Sequence, residues 1–324
     1  MHETENTKTL LIQFGRGYIR GHKDTAITTP IKGLNMKNEV SCKIKYLNDD
    51  FVWPDNKRLA VIFNIAYEMW TPGSSSSVNP MGNVLSGDIN DPNADSYGRY
   101  NANVGCKRLF NIAENYGVAA SAFTSGRVAE HHHEELKQRS GFGHEIIGHG
   151  YGQNLLFPYL SDREKEDNIA RSTQLIESAT GKRPFGWVSP RITSDLDVQH
   201  RFAQHGYKWH GDALDQDLPY LQTFADSEIM AIPFTIDFND LPHAMRFGRT
   251  PEQFVQMFTK TLDNLLASNR ETLILDVIVH GHCYGRPAGA WAFEEMVKRC
   301  AGEKELWLTT RGEIHDYARP FFTA

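Results

Sequence analysis

Cysteine is scarce in this chain: four in 324 residues, at Cys42, Cys106, Cys283 and Cys300. They lie too far apart for a zinc ribbon or a dense disulfide framework and fit a reducing compartment. There is no excess of positive charge. Thirty-four Lys and Arg against 40 Asp and Glu leave a net charge of -6 without a basic cluster, which argues against a nucleic-acid or anionic-membrane surface. No run of about 18 apolar residues occurs, and the opening Met1-His2-Glu3-Thr4-Glu5 is polar where a signal peptide would be apolar. Internal repeats are absent, and low complexity is confined to Ser74–Ser77. These absences point to a soluble, cytoplasmic protein whose partner is a small-molecule substrate.

The length suits one large domain with a sizeable core. Residues 1–50 mix charge, Gly and Thr without sustained periodicity and read as an arm that wraps the domain or contacts another subunit. That arm suggests a homodimer or homotetramer. The catalytic domain, 51–324, then begins. Short apolar runs of the kind buried parallel strands require recur at Leu59–Phe63, Val118–Phe123, Glu145–Ile147, Phe185–Val188, Ile229–Ile232, Leu273–Val279 and Leu306–Leu308. Helical segments alternate with them. Ser161–Thr180 has a Ser cap, Glu164 three residues on and Gly181 just past its end, and Val104–Tyr116, Pro251–Ser268 and Ala288–Cys300 read similarly. Seven strands alternating with helices predict an incomplete (β/α) barrel with an N-terminal extension. Thr71–Asn103, rich in Gly, Ser, Asn, Asp and Pro, is too long for a plain connection and is expected to overhang the site.

Chemistry in such a barrel sits at the carboxyl ends of the strands. The residues found there are Tyr67-Glu68, His149-Gly150-Tyr151, Ser189-Pro190-Arg191 and His280-Gly281-His282. A carboxylate, imidazoles and an arginine converging on one mouth can bind a metal or a carbonyl oxygen, move protons and hold an anionic or amide-bearing substrate. Glu68 directly after a buried strand needs a partner. His282 shares a strand face with His280 and so rivals it. A solvated face explains His131-His132-His133 better than a metal site does, and Cys283 near His280 and His282 invites a Cys–His nucleophile reading.

The order of these motifs resembles the polysaccharide deacetylase superfamily, also called the NodB-homology family, over roughly Trp53 to Pro320. In its best-known members an Asp-Asp motif after the first strand supplies a base and a metal ligand, and a His-x-x-x-His motif after the third supplies two more ligands. Here Glu68 stands at the ligand position, Ala66 at the base position and Gln153 at the second histidine. Tyr67-Glu68, Ser96-Tyr97-Gly98, His149-Gly150, Gly181 through Trp187 leading to Arg191, Asp217-Leu218-Pro219-Tyr220, Pro233 through Asp240, and His280 with Arg286-Pro287 are similar to the branch of metal-independent allantoinase and cyclic imide hydrolases.

That resemblance implies hydrolysis of a non-peptide carbon–nitrogen bond in a small cyclic amide, imide or ureide. Glu68, His149 and His280 are the expected catalytic residues. Arg191, Gln153, Tyr151, Asp217, Asp240, His282 and Arg286 are the expected substrate-binding ones. The reaction needs either no metal or one divalent zinc or manganese held by Glu68 and His149. A metal-dependent carbohydrate N-deacetylase and a catalytically inactive metabolite-binding relative are the alternatives.

Overall fold

The computed structural model describes residues 40–74, 80, 83, 85 and 89–322. Most of the expected arm, and part of the expected overhang between Thr71 and Asn103, lie outside the described residues. Among the described residues ten strands form one sheet. They are β1 (Lys43–Tyr46), β2 (Leu59–Tyr67), β3 (Ser121–Thr124), β4 (Glu145–Gly148), β5 (Gly186–Trp187), β6 (Trp209–His210), β7 (Tyr220–Thr223), β8 (Glu228–Ala231), β9 (Leu273–His280) and β10 (Leu306–Thr309). Their order is β1-β7-β8-β6-β5-β4-β3-β2-β10, with β9 on the other edge of β2. All pairings are parallel except those of β7 with β1 and β8.

The sheet curls into an incomplete (β/α) barrel. Between β8 and β9 the wall is irregular chain, joined to β9 by a bridge from Asn239 to Ile278 and by the Thr235 hydroxyl donating to Ile274 O. All seven expected strands are present. β6, too short at two residues to leave a pattern, was not foreseen, and neither were β1 and β7. The expected helices appear as α5 (Asp162–Thr180), α7 (Pro251–Ser268) and α8 (Pro287–Ala301). The expected Val104–Tyr116 divides into the end of a π-helical turn, Asn101–Gly105, and α2 (Cys106–Asn115).

β2 explains how the site is built. Its nine residues are all buried, because one face lines the barrel and the other meets helices. Val61, Phe63, Ile65 and Tyr67 join Phe110 of α2 and Phe293 of α8 in one core, while Ala60, Ile62 and Ala66 join Phe123, Ile147 and Ile278 inside the barrel. The period of two puts Asn64 on that inner face too. There it accepts a hydrogen bond from Arg311 at 3.1 Å and donates to Asp276 at 2.8 Å. Arg311 opens α9 (Arg311–Ala318), is fully buried, pairs with Asp276 at 2.7 Å and lies 3.7 Å from the Phe234 ring. This ionic plug sits inside the barrel, between Ala60 and Ile62 on one side and Ala66 on the other. Among the described residues no helix is long and apolar enough to cross a membrane.

Candidate active site

Parallel strands deliver their last residues to one end, and four of the expected polar residues meet there. Glu68 is the centre. Its Oε1 lies 3.4 Å from His149 Nε2 and 3.8 Å from His280 Nε2, and its Oε2 lies 4.0 Å from His282 Nδ1. All four side chains are buried. A cavity of about 290 Å3 runs along Met69–Ser74, the segment that follows Glu68 in the chain, and none of the four side chains lines it.

Neighbouring groups fix which ring nitrogen of each imidazole carries a proton. His149 Nδ1 lies 2.6 Å from Val188 O; a carbonyl can only accept, so Nδ1 donates and Nε2 is turned to Glu68. His280 Nδ1 lies 2.6 Å from Asp240 Oδ1, and the other Asp240 oxygen accepts from the backbone N–H of His280 and of Tyr284. Asn101 sets the third ring. Its Oδ1 accepts from Glu68 N and its Nδ2 donates to Ala66 O, so two backbone partners determine the orientation of the amide. The remaining Nδ2 hydrogen points to His282 Nδ1 at 3.0 Å. His282 is therefore the Nε2–H tautomer, and among the described residues that N–H has no partner.

The electrostatics follow from this packing. Burial pushes the Glu68 carboxyl up, but His280, the contact with His149, and His282 outweigh it and hold the group down at about 2. Burial opposes charge on His280, yet Asp240 and Glu68 together raise it. Burial lowers His282 to about 4, against the pull of Glu68. The packing thus favours an ionised Glu68 and charge on His280, and disfavours charge on His282.

The other expected residues fall elsewhere or take different roles. Asp240 is not exposed to a ligand; it positions His280. Gln153 turns its amide back to donate to His149 O at 3.1 Å and also holds the chain in place. Tyr151 is drawn outward, donating to Glu130 at 2.8 Å beneath the Arg171 guanidinium, which stacks 3.8 Å from its ring. Asp217 is at the wrong end: its carbonyl accepts from Ile274 N, six residues or about 20 Å along β9 from His280. Arg191 is exposed on a left-handed turn (φ 56°) two residues beyond Ser189. Arg286 stacks on Tyr97 and Tyr100 and donates to His282 O. The Cys283 thiol is buried against Asp240 O and its pKa is raised by burial, so it is no nucleophile.

Sequence reasoning missed Asn101 and Asp212. Asn101 sits inside the overhang and beyond any periodic segment; its only signal is a buried amide close to Gly105. Asp212 follows the two-residue β6, and its Oδ1 accepts from Ser189 N at 2.8 Å, fixing the turn behind His149.

A resident divalent metal does not fit these residues. Among the described residues no group of three or more His, Cys, Asp or Glu side chains is disposed to hold an ion.

Residues 95–210 match the family model for polysaccharide deacetylase. Over that span the chain is similar to the polysaccharide deacetylase superfamily. Its class hydrolyses carbon–nitrogen bonds other than peptide bonds. The matched span includes His149 and Arg191 but neither Glu68 nor His280, so the roles of those two rest on geometry. A peptidoglycan deacetylase of Helicobacter pylori is 24% identical over 267 residues, 71% of this chain and 89% of that protein. A solved structure described as a probable polysaccharide deacetylase from Pseudomonas aeruginosa PAO1 superposes with a TM-score of 0.73 at 22% identity, covering 83% of this chain and 93% of that one. Puue allantoinase superposes with a TM-score of 0.70 at 22% identity, covering 83% and 92%. At these identities the structures establish the shared fold.

Proposed function

We propose that this protein hydrolyses a carbon–nitrogen bond in a small cyclic amide, imide or ureide by adding water to the carbonyl. The observation that carries the reading is the line Asp240–His280–Glu68. Asp240 holds His280 at 2.6 Å, and the far nitrogen of that ring lies 3.8 Å from the Glu68 carboxylate. His280 protonates the leaving nitrogen as the tetrahedral intermediate collapses. Glu68 orients the water and accepts its proton. A carboxylate held at about 2 is a weak base, so the acid carries the larger share of the acceleration. The proton given by His280 is replaced by the one taken from water, which balances the cycle.

A second reading, N-deacetylation of an amino sugar, is favoured by the name of the Helicobacter pylori relative. Ala66 and Gln153, at the positions of that family's base and second histidine ligand, count against it. The two are separated by a hydrolysis panel of allantoin, dihydropyrimidines, hydantoins, cyclic imides and N-acetylated sugars, each with and without chelator and with added zinc or manganese. Ring opening that survives chelation is the expected result. Turnover confined to N-acetylated sugars and abolished by chelator would overturn it, and silence across the panel would favour a binding protein.

A further inference from the structure

A second cavity, about 470 Å3, borders the Cys283–Tyr284 turn just after His282, and neither Glu68, His149 nor His280 lines it. Its volume lies within the range of small-molecule sites. Ala244, Met245 and Pro251 give it an apolar wall, and Arg286 is its one cationic lining residue.

Arg286 is unusually constrained. Its guanidinium carbon lies 4.7 Å from the Tyr97 ring centre and 4.1 Å from that of Tyr100, and its Nε donates to His282 O at 3.1 Å. Two aromatic faces and one carbonyl therefore hold the plane of the guanidinium, leaving the terminal N–H fork at the cavity. Among the described residues it has no carboxylate partner. A half-buried guanidinium held without a counter-ion is costly unless an anion completes it.

Two further groups point the same way. Tyr97 and Tyr284 both line the cavity and are 8% and 3% exposed; the Tyr284 hydroxyl has no hydrogen-bond partner among the described residues, and the Tyr97 hydroxyl has only the Arg286 guanidinium beside it. Buried hydroxyls in native proteins are almost always satisfied. A missing acceptor beside a missing anion is one ligand rather than two coincidences.

We propose that this cavity binds a carboxylate on a small apolar body, with the Arg286 fork taking the two oxygens and the Tyr97 and Tyr284 hydroxyls donating to the same group. Carboxylate is preferred to phosphate because the fork is planar and single. A dianion would need a second cation, and none lines the cavity. Binding stands apart from catalysis. The link to substrate choice, namely that the hydrolysed molecule or its ring-opened product carries this carboxylate, rests on the hydrolase reading.

The test is calorimetric titration of the whole protein with benzoate and butyrate, and with benzamide as the neutral isostere. Saturable benzoate binding is expected. It should weaken at least about tenfold in Arg286→Gln, less in Arg286→Lys, which keeps the charge but not the fork, and about threefold in Tyr284→Phe. Arg286→Lys and Tyr284→Phe keep the test alive if Arg286→Gln does not fold. No binding of either acid at concentrations on the order of 10 mM, equal affinity in Arg286→Gln, or equal affinity for benzamide would overturn the proposal. Because no turnover is needed, a silent hydrolysis panel would sink the hydrolase reading and leave this result standing. Where a substrate is turned over, benzoate competing with it assigns the site to substrate, and benzoate changing the rate without competing assigns it to a separate effector.

Discussion

Asn101 and His282, 181 residues apart, meet through a 3.0 Å contact whose direction is unambiguous, because the other atoms of the amide are committed to Glu68 N and Ala66 O. One side chain thus fixes a ring tautomer and pins the main chain on either side of Tyr67. Asn101→Asp separates these tasks: the carboxylate still accepts from Glu68 N but cannot donate to Nδ1. The ring must then carry its proton on Nδ1. Nitrogen-15 correlation spectra should show His282 protonated at Nε2 in the natural protein and at Nδ1 in the variant, with turnover reduced at least about tenfold. Nδ1 protonation already present in the natural protein would refute the assignment.

Asp240→Asn tests the acid. The shape is nearly kept, but the charge that raises His280 is removed. An acid must be protonated to act, so activity falls as pH rises through the His280 pKa. Lowering that pKa moves the basic limb of the rate profile to lower pH, and kcat should drop on the order of 100-fold. An unmoved basic limb would show that another group titrates there.

Which of these features could be read beforehand depends on whether they leave a local signature. The strands did, because β2 and β9 are buried on both faces and are apolar almost throughout. Glu68, His149 and His280 were legible because the carboxyl end of a parallel strand is a place as well as a sequence position. Asp217 was misplaced since its neighbours resembled a site motif while its carbonyl is held by Ile274 N at the start of β9. Tyr151 was misjudged because Glu130 and Arg171, distant in sequence, take its hydroxyl. Asn101 lies in an irregular turn, where no periodicity singles out one Asn from its neighbours.

Its π-helical turn exists because three glycines let two backbones cross. A Cβ on Gly105 would sit 1.9 Å from Gly281 O, and one on Gly281 would sit 2.7 Å from Asn101 O. Backbone cannot give way as a side chain can. Gly105→Ala should therefore cost upwards of about 3 kcal/mol, the upper end of overpacking. Thermal unfolding checks this, and a loss below about 1 kcal/mol would mean the crossing is looser than described.

Glu145 gives the fold its own pH dependence. Its carboxyl accepts from Gly312 N at the start of α9 and from the Ser121 hydroxyl, 2.9 Å each, but burial outweighs both and raises the pKa to about 7. The unfolded value is near 4.5, so between 4.5 and 7 the folded state holds a proton that the unfolded chain has released. Stability then falls as pH rises through that window and levels off above it. The full shift corresponds to at most about 3 kcal/mol. Glu145→Gln keeps an acceptor for Gly312 and has nothing to titrate, so its unfolding free energy should change less between pH 5 and 7 than that of the natural protein, and at pH 8 should equal or exceed it. Denaturant titrations at these pH values decide it: parallel pH profiles for the two proteins would mean that Glu145 stays ionised in the fold, held by Arg311 and the α9 terminus more strongly than burial opposes it.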